Sequence, residues 1–329
     1  MTAHGVEAKT SAAPRGMASP DELRSSLRIP IIILIVLGLG APFFVYPVFL
    51  MKMLCFALFA CAFNLLLGYV GLLSFGHALF LGGAGYLAAH AAKVWGLPFE
   101  LAVLTGTATA AVLGLAVGWL AIRRQGIYFA MITLALAQMF YFFCLRAPFT
   151  GGEDGIQGVP RGKLLGVLSL EGNLRMYFVV LAIFLFGFFF ILRVVNSPFG
   201  QVLKAVRENE PRAVSLGYKA DHYKLIAFVL SAALSGLAGA TKAIVFQLAS
   251  LTDVYWTTSG EVILMVLLGG LGTIFGPVVG AVVIVCVESF LAGLGGWVTV
   301  VQGGLFVVCV LAFRRGIVGE LSRVLHRPL

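Results

Sequence analysis

Ten apolar segments, separated by short polar or glycine-rich stretches, fill most of this chain. Crossing the hydrocarbon core of a bilayer takes about 20 mainly apolar residues in a helix. Of the 329 residues, 60% are hydrophobic and 11% are charged, whereas about a quarter are charged in soluble domains. The sequence therefore predicts an all-α, polytopic membrane protein with about ten spans, or eight if 74–92 and 260–275 are re-entrant. The segments are roughly 29–50, 53–73, 76–92, 98–120, 127–145, 176–194, 225–248, 260–275, 277–294 and 297–313.

The distribution of Lys and Arg predicts the orientation of these spans. With the N-terminus inside, the tail, the 121–126 turn, the 193–224 loop and the C-terminal end hold four, two, six and four basic residues, 16 of 23. Because cytoplasmic loops carry an excess of Lys and Arg, we expect both termini to be cytoplasmic. The predicted domains are a disordered tail (1–28), a membrane domain (29–315) with an external loop (146–175), and a C-terminal tail (316–329).

Several function classes are excluded by what the sequence lacks. The net charge of +9 is explained by basic cytoplasmic loops, so no nucleic-acid partner is expected. The five cysteines lie in apolar runs without metal-ligand spacing, which predicts neither a metal site nor a disulfide framework. The Gly162-Lys163 pair is followed by Leu164, and Gln157 stands where a P-loop needs its first glycine. We therefore expect no cofactor and no enzymatic activity on this chain.

Two glycine-rich stretches interrupt the apolar pattern, one in each half of the chain, at 64–89 and 265–284. Irregular backbone at membrane depth is tolerated where it is buried in protein or lines a wet cavity. These stretches therefore predict either interrupted helices beside a substrate pathway or glycine faces for close helix packing, and Pro277 predicts the start of a new helix. They suggest two related halves, although no convincing residue-level repeat is visible. The pathway candidates are Ser74, Phe75, Gly76, His77, Gly272 and Gly276.

Charged side chains inside spans are costly and suggest function. Glu288 is predicted to lie in the middle of the ninth segment, as a pathway residue or as a carboxyl bonded to a neighbouring helix. Lys242 and Glu261 are predicted near the outer ends of their spans, where their charges reach the interface.

A polar segment, RENEPRAVSLGYKADHYK at 207–224, lies between two apolar runs. Pro211 fits best as the first residue of a short helix over about 211–216, with Asn209 or Glu210 near its N-cap and Gly217 as its stop. Val202, Val206, Ala213 and Leu216 are predicted to share one face, while Arg207, Glu208 and Glu210 point outward. Since its charges nearly balance, the segment is predicted to bind a protein surface; the alternative is an ordinary solvated loop.

Several separated motifs resemble the inner-membrane permeases of ABC importers for branched-chain amino acids, of the LivM type. The resemblance covers about residues 30–315. The segments that carry it are NLLLGYVGLLSFGHALFLGGAGYLAA (64–89), RRQGIYFAMITLALAQMF (123–140), TGGEDGIQGVP (150–160), SPFGQVLKAVRENEPRAVSLGY (197–218) and VLLGGLGTIFGPVVGA (266–281).

The resemblance implies a subunit in a bacterial inner (plasma) membrane that forms half of a translocation path through the lipid bilayer. Its implied partners are a second, LivH-like permease, two cytoplasmic ABC ATPases and a periplasmic substrate-binding protein that faces 146–175. The loop at 196–224 would be the coupling region that docks on the ATPase. Its implied coupling residues are Glu210, Pro211, Arg212, Ala213 and Gly217, although Pro211 and Arg212 replace the first two positions of the older importer consensus.

Three alternatives stay open. The same architecture imports urea and short amides in similar permeases, so the resemblance does not fix the transported molecule. An ion-coupled secondary transporter would use Glu288 as an ion or proton site, but mid-span carboxylates are scarce. A structural or assembly role is disfavoured by the two interrupted glycine-rich segments.

Overall fold

Helices form nearly all of the part of the chain that the computed structural model describes, which is residues 20–164, 168–295, 297–312 and 316–320. In chain order they are α1 (Pro20–Gly40), α2 (Pro47–Tyr69), α3 (His77–Lys93), α4 (Phe99–Ala121), α5 (Ile127–Arg146), α6 (Asn173–Val195), α7 (Pro198–Glu208), α8 (Glu210–Ser215), α9 (Ala220–Val245), α10 (Trp256–Gly269), α11 (Gly276–Phe290) and α12 (Trp297–Ala312).

This architecture confirms the prediction of a multi-pass α-helical membrane protein. Five of the described helices are long and apolar enough to cross a bilayer, and they are α2, α4, α5, α6 and α9. The helices α3, α10 and α11 have 17, 14 and 15 residues. Since a full crossing takes about 20 residues, the count of ten spans stays a prediction.

The first two predicted spans have the wrong boundary between them. Instead of 29–50 and 53–73, α1 ends at Gly40, a short 3₁₀ helix follows at Ala41–Phe43, and α2 begins at Pro47. Proline at the first positions of a helix sacrifices no hydrogen bond, which is why Pro42 fits the first turn of the 3₁₀ helix and Pro47 the first position of α2. Helix α1 begins at Pro20, before the predicted start at residue 29; the tail at 1–19 lies outside the described residues.

The core is built around α2 and α9. In each of these two helices 72% of the residues in an apolar 18-residue stretch are buried inside the protein, against 28% in α5. Close approach depends on glycine: a Cβ on Gly239 would lie 1.9 Å from the Leu81 carbonyl oxygen of α3, and one on Gly236 would lie 2.2 Å from Ala110 Cβ of α4. Small residues of this kind let helix backbones pack closely where lipid provides no hydrophobic drive for association.

Two ends of the bundle differ in structure. One end carries 70–76, 122–126, 196–219 and 270–275; we call it the arm end, because α7 and α8 form an arm across it. The other end carries 147–164, 168–172 and 246–255, and we call it the loop end. At the loop end β1 (Ile156–Gln157) pairs with β4 (Leu248–Ala249), and β2 (Lys163–Leu164) pairs with β3 (Leu168–Ser169), both antiparallel.

The predicted external loop is attached to the bundle by polar contacts. Arg161 donates to Asn173 Oδ1 at 2.9 Å and to the Val245 carbonyl at 3.0 Å, while Lys93 Nζ donates to the Gln157 carbonyl at 2.7 Å. These bonds fix the described part of the loop to the ends of α3, α6 and α9.

Candidate functional site

Helices α7 and α8 form a polar arm across one end of the bundle. Ser197 caps α7 by accepting from Gly200 N at 3.3 Å, and Asn209 Oδ1 caps α8 by accepting from Arg212 N at 3.0 Å. Pro211 lies in the first turn of α8, and Gly217 follows its end with a φ of +90°. The predicted short helix, its proline start and its glycine stop are therefore confirmed.

The buried and exposed faces of the arm differ in part from the prediction. Val206 and Ala213 are each 3% exposed and pack together with Val202, as predicted. Leu216 is 72% exposed and Val214 is 53% exposed, so Leu216 does not share that buried face. The reason is that α8 ends at Ser215, before Leu216 would turn inward.

Glu210 does not point outward as predicted. Its carboxylate pairs with Lys224 at the start of α9 and accepts from Gln125 Nε2 at 2.9 Å in the turn between α4 and α5. The Lys224 side chain is only 4% exposed, so Glu210 is the counter-ion that makes its burial tolerable. This contact attaches the first residue of α8 to two other elements.

Replacing Glu210 with glutamine is expected to destabilise the protein by about 2 kcal/mol, because it leaves the Lys224 ammonium buried without a counter-ion. Thermal unfolding of the purified protein in detergent measures this loss. Glu208→Gln, at an exposed position two residues away, is the matched control and should have no effect. Adding Lys224→Met to Glu210→Gln should restore most of the stability; an additive further loss would contradict the pairing.

The two glycine-rich stretches meet at the arm end. Helix α2 ends at Tyr69 and α3 begins at His77, while α10 ends at Gly269 and α11 begins at Gly276. We call 70–76 the first break and 270–275 the second break. Asn64, in the α2 segment that leads into the first break, holds the second break, since its Oδ1 accepts from Gly272 N at 3.1 Å and its Nδ2 donates to the Thr273 carbonyl at 2.9 Å.

The two breaks also share a local design, which the sequence did not reveal as a repeat. Each has a glycine of positive φ within its first three residues: Gly71 at +82° in the first break, and Gly270 at +129° and Gly272 at +72° in the second. In each, a hydroxyl accepts from the backbone N–H of a glycine at or next to the start of the following helix: Ser74 Oγ from Gly76 at 3.2 Å and Thr273 Oγ1 from Gly276 at 3.1 Å. The predicted restart of the helix at Pro277 is confirmed, because Pro277 lies in the first turn of α11.

Arg207, at the end of α7, reaches both breaks. Its Nη1 donates to the Gly68 carbonyl in the last turn of α2. A Cβ on Gly71 would lie 3.1 Å from Arg207 Cγ, and one on Gly272 would lie 3.3 Å from Arg207 Nη1. Arg207 is exposed, as predicted, but its guanidinium lies against the bundle.

Ser74 and His77 are fully buried inside the helix packing of this chain. Ser231 Oγ donates to the Ala62 carbonyl at 2.6 Å, so His77 Nε2 is the donor in the 2.9 Å bond to Ser231 Oγ. His77 Nδ1 has no partner in the described chain. The rings of Phe63, Phe80 and Phe228 meet the imidazole edge-on.

These contacts connect α2, α3 and α9 through His77. Phe75 is half-buried, and its backbone N–H donates to Thr133 Oγ1 at 3.2 Å in α5. The geometry gives Ser74, Phe75, Gly76 and His77 a clear packing role, and their role in a pathway stays a prediction.

Glu288 lies in the last turn of α11 rather than in the middle of a span, since the helix ends at Phe290. Its carboxylate is 3.1 Å from Lys52 Nζ in α2. Nearby, Lys242 pairs with Asp253, and the Glu261 carboxylate interacts electrostatically with all four of these groups. Charges from four helices and the 3₁₀ helix Leu251–Asp253 therefore cluster at the loop end. Among the described residues, no group of His, Cys, Asp and Glu is arranged to hold a metal ion.

Comparison with known proteins identifies the family. The family described as "Branched-chain amino acid transport system / permease component" matches residues 47–311. The LivM high-affinity branched-chain amino acid transport system permease protein of Escherichia coli (strain K12) is 29% identical over 245 residues, which cover 68% of this chain and 58% of that protein. The probable LivM permease protein of Methanocaldococcus jannaschii is 28% identical over 194 residues, 55% of this chain and 54% of that protein.

The aligned region thus spans somewhat more than half the length of these curated relatives. No solved structure matches the chain significantly. The family match covers α2 to α11 and most of α12, including both breaks and the whole arm. This chain therefore belongs to the family of permease components of branched-chain amino acid transport systems.

Proposed function

We propose that this protein is the transmembrane permease subunit of an ATP-driven importer for branched-chain amino acids. It forms half of the translocation path, and a separate ATPase supplies the energy. The family match and the LivM relatives support transport of this substrate class. No ATP site of the P-loop type is present in the sequence, so the energy arrives from another chain.

The observation that carries this proposal is the exposed surface of α8. The helix is capped at both ends and attached through Glu210, yet Val214, Leu216 and Tyr218 expose 53%, 72% and 41% of their surfaces around it. An apolar patch on a rigid helix, rimmed by charge, is typical of a protein interface. In this proposal Glu210, Pro211, Arg212, Ala213 and Gly217 form or position the surface that docks on the ATPase.

The proposed orientation places the arm end in the cytoplasm. The basic residues of the 121–126 turn and the 193–224 loop lie at this end, in accord with the positive-inside rule. Ten spans then follow, with α1–α6 and α9–α12 crossing the bacterial inner membrane. The loop end faces the periplasmic binding protein, and the second, LivH-like permease completes the path between the two subunits.

In the proposed mechanism, closure of the two ATPases displaces α8. Since α8 is attached to α9 and to the α4–α5 turn through Glu210, its displacement moves these elements as rigid bodies. The breaks, where helices stop and restart, are the places at which the bundle changes between outward and inward access. Gly272 and Gly276 are assigned to the pathway on this basis, beside Ser74–His77.

Reconstitution tests the proposal. The chain is placed in liposomes with a second permease, two ATPases and a binding protein, and uptake of labelled leucine is measured with and without internal ATP. We expect uptake that requires ATP and every partner, and competition by isoleucine and valine. Competition by urea or acetamide instead would shift the substrate class to short amides. Uptake by this chain alone, driven by an ion gradient, would replace the proposal with a secondary transporter.

A further inference from the structure

We propose that Arg207 is the positioning residue that couples the arm to both glycine-rich breaks, keeping them together in the present conformation and releasing them when the arm moves. This inference rests on the proposed function, because it describes how motion of α8 reaches the membrane domain. The family resemblance placed Arg207 within the coupling loop but not among the coupling residues, and the sequence pattern predicted only that it points outward.

The first contact is with the end of α2. The last carbonyl groups of a helix have no partner within the helix. In α2, the Leu66 carbonyl accepts from Val70, Gly71 and Leu72, and the Gly68 carbonyl accepts from Arg207 Nη1. A guanidinium at this position is also favoured by the negative end of the helix dipole. Arg207 therefore completes the C-terminal cap of α2 from a different part of the chain.

The second contact is with the surface that the glycines create. Gly71 and Gly272 both have positive φ, and both would bring a Cβ within 3.4 Å of the Arg207 side chain. The missing side chains leave room for the arginine stem on the first break and for its guanidinium beside the second. Lys204, one turn earlier on α7, places its Nζ 5.8 Å from the Tyr69 ring centre. The same face of α7 thus follows the end of α2.

Arg207 is linked to the second break through one turn of α2. Gly68 and Asn64 lie one turn apart in α2, and Asn64 bonds the second break through Gly272 and Thr273. Arg207 therefore bonds the α2 turn that holds the second break and covers both glycine turns. Within the described chain it makes the only hydrogen bond between the arm and this region.

The position of Arg207 explains how it would transmit motion. Only Glu208 and Asn209 separate it from α8, and Asn209 is the cap that fixes the start of α8. A displacement of α8 therefore moves Arg207 with it. A hydrogen bond is lost when its donor and acceptor separate by about 1 Å beyond contact, so a small shift of the arm releases Gly68 and exposes both breaks to rearrangement. A contact made in only one of two states biases the equilibrium between them.

The test uses two measurements on the same variants. Arg207→Met keeps the apolar stem and removes the guanidinium, Arg207→Lys keeps the charge, and Arg193→Met removes an exposed arginine from the same end as a matched control. Spin labels at Leu73 and Leu271, both exposed and one on each break, report the distance between the breaks in the purified chain. The reconstituted importer reports leucine transported per ATP hydrolysed.

We expect Arg207→Met to broaden the spin-label distance distribution towards longer values and to lower the leucine-to-ATP ratio at least about 10-fold, with ATP hydrolysis retained. Arg207→Lys should give a distance distribution and a leucine-to-ATP ratio between those of Arg207→Met and the wild type. If Arg207→Met does not fold, the Arg207→Lys variant alone tests whether Arg207 holds the breaks together. Arg193→Met should match the wild type. An unchanged distance distribution together with an unchanged ratio in the Arg207 variants would overturn the inference. If the wild-type complex shows no ATP-driven uptake, the proposed function fails, while the spin labels still decide whether Arg207 holds the breaks together.

Discussion

Replacing Leu216 with aspartate is expected to abolish ATP-driven transport while leaving the protein inserted and folded. Leu216 is 72% exposed immediately after α8, so a carboxylate there remains in water in the isolated subunit and costs little. Once an ATPase covers this surface, the same carboxylate loses its hydration without a counter-ion. Loss of a hot-spot contact at the centre of an interface costs about 2 kcal/mol or more, which is about 30-fold in affinity.

Co-purification with the ATPase and uptake by the reconstituted complex measure this effect. Gln201→Asp is the matched control, because Gln201 is an exposed residue on α7 and lies outside the proposed docking surface. It introduces the same charge at the same end of the bundle, so it corrects for a general electrostatic effect. If Leu216→Asp retained both ATPase binding and uptake, α8 would not be the docking helix. Reduced membrane insertion in this variant but not in the control would point instead to a folding role for Leu216.

The helices and the arm were largely predictable, because their signals are local. Apolar length, Pro211 and Pro277 at helix starts, and Gly217 at a helix end each act within a few residues of themselves. The boundary near residue 47 was missed because the apolar pattern continues through 41–46, and only the prolines at 42 and 47 indicated the interruption. Proline position was therefore more informative there than hydropathy.

The candidate site was predicted less completely, because its contacts join residues far apart in sequence. Ser74 and Gly272 were selected from two separate glycine-rich stretches, yet the bond that joins these stretches comes from Asn64. Glu210 was expected to face outward, since nothing near it in sequence shows that Lys224 is buried beside it. Arg207 resembles an ordinary surface arginine until the Gly68 carbonyl is placed next to it.

Glycines at helix contacts present the same difficulty, and Gly239 in α9 is one of them. A helical glycine exchanged for alanine normally gains about 0.4–1 kcal/mol of stability, because the unfolded chain loses freedom. At Gly239 the new Cβ would lie 1.9 Å from the Leu81 carbonyl oxygen and 2.6 Å from its carbon, which are backbone atoms of α3 that no side-chain rotation can move.

Gly239→Ala is therefore expected to destabilise the protein by about 3 kcal/mol or more, as overpacking does at its upper end, and to sharply reduce the yield of folded protein. Gly260→Ala is the matched control, since a Cβ there meets nothing within 4 Å, and it should be neutral or slightly stabilising. Size-exclusion yield and thermal unfolding in detergent compare the two variants. Equal behaviour of both would mean that α3 and α9 can separate at little cost, and the close packing of α9 at the centre of the bundle would then not be what holds the core together.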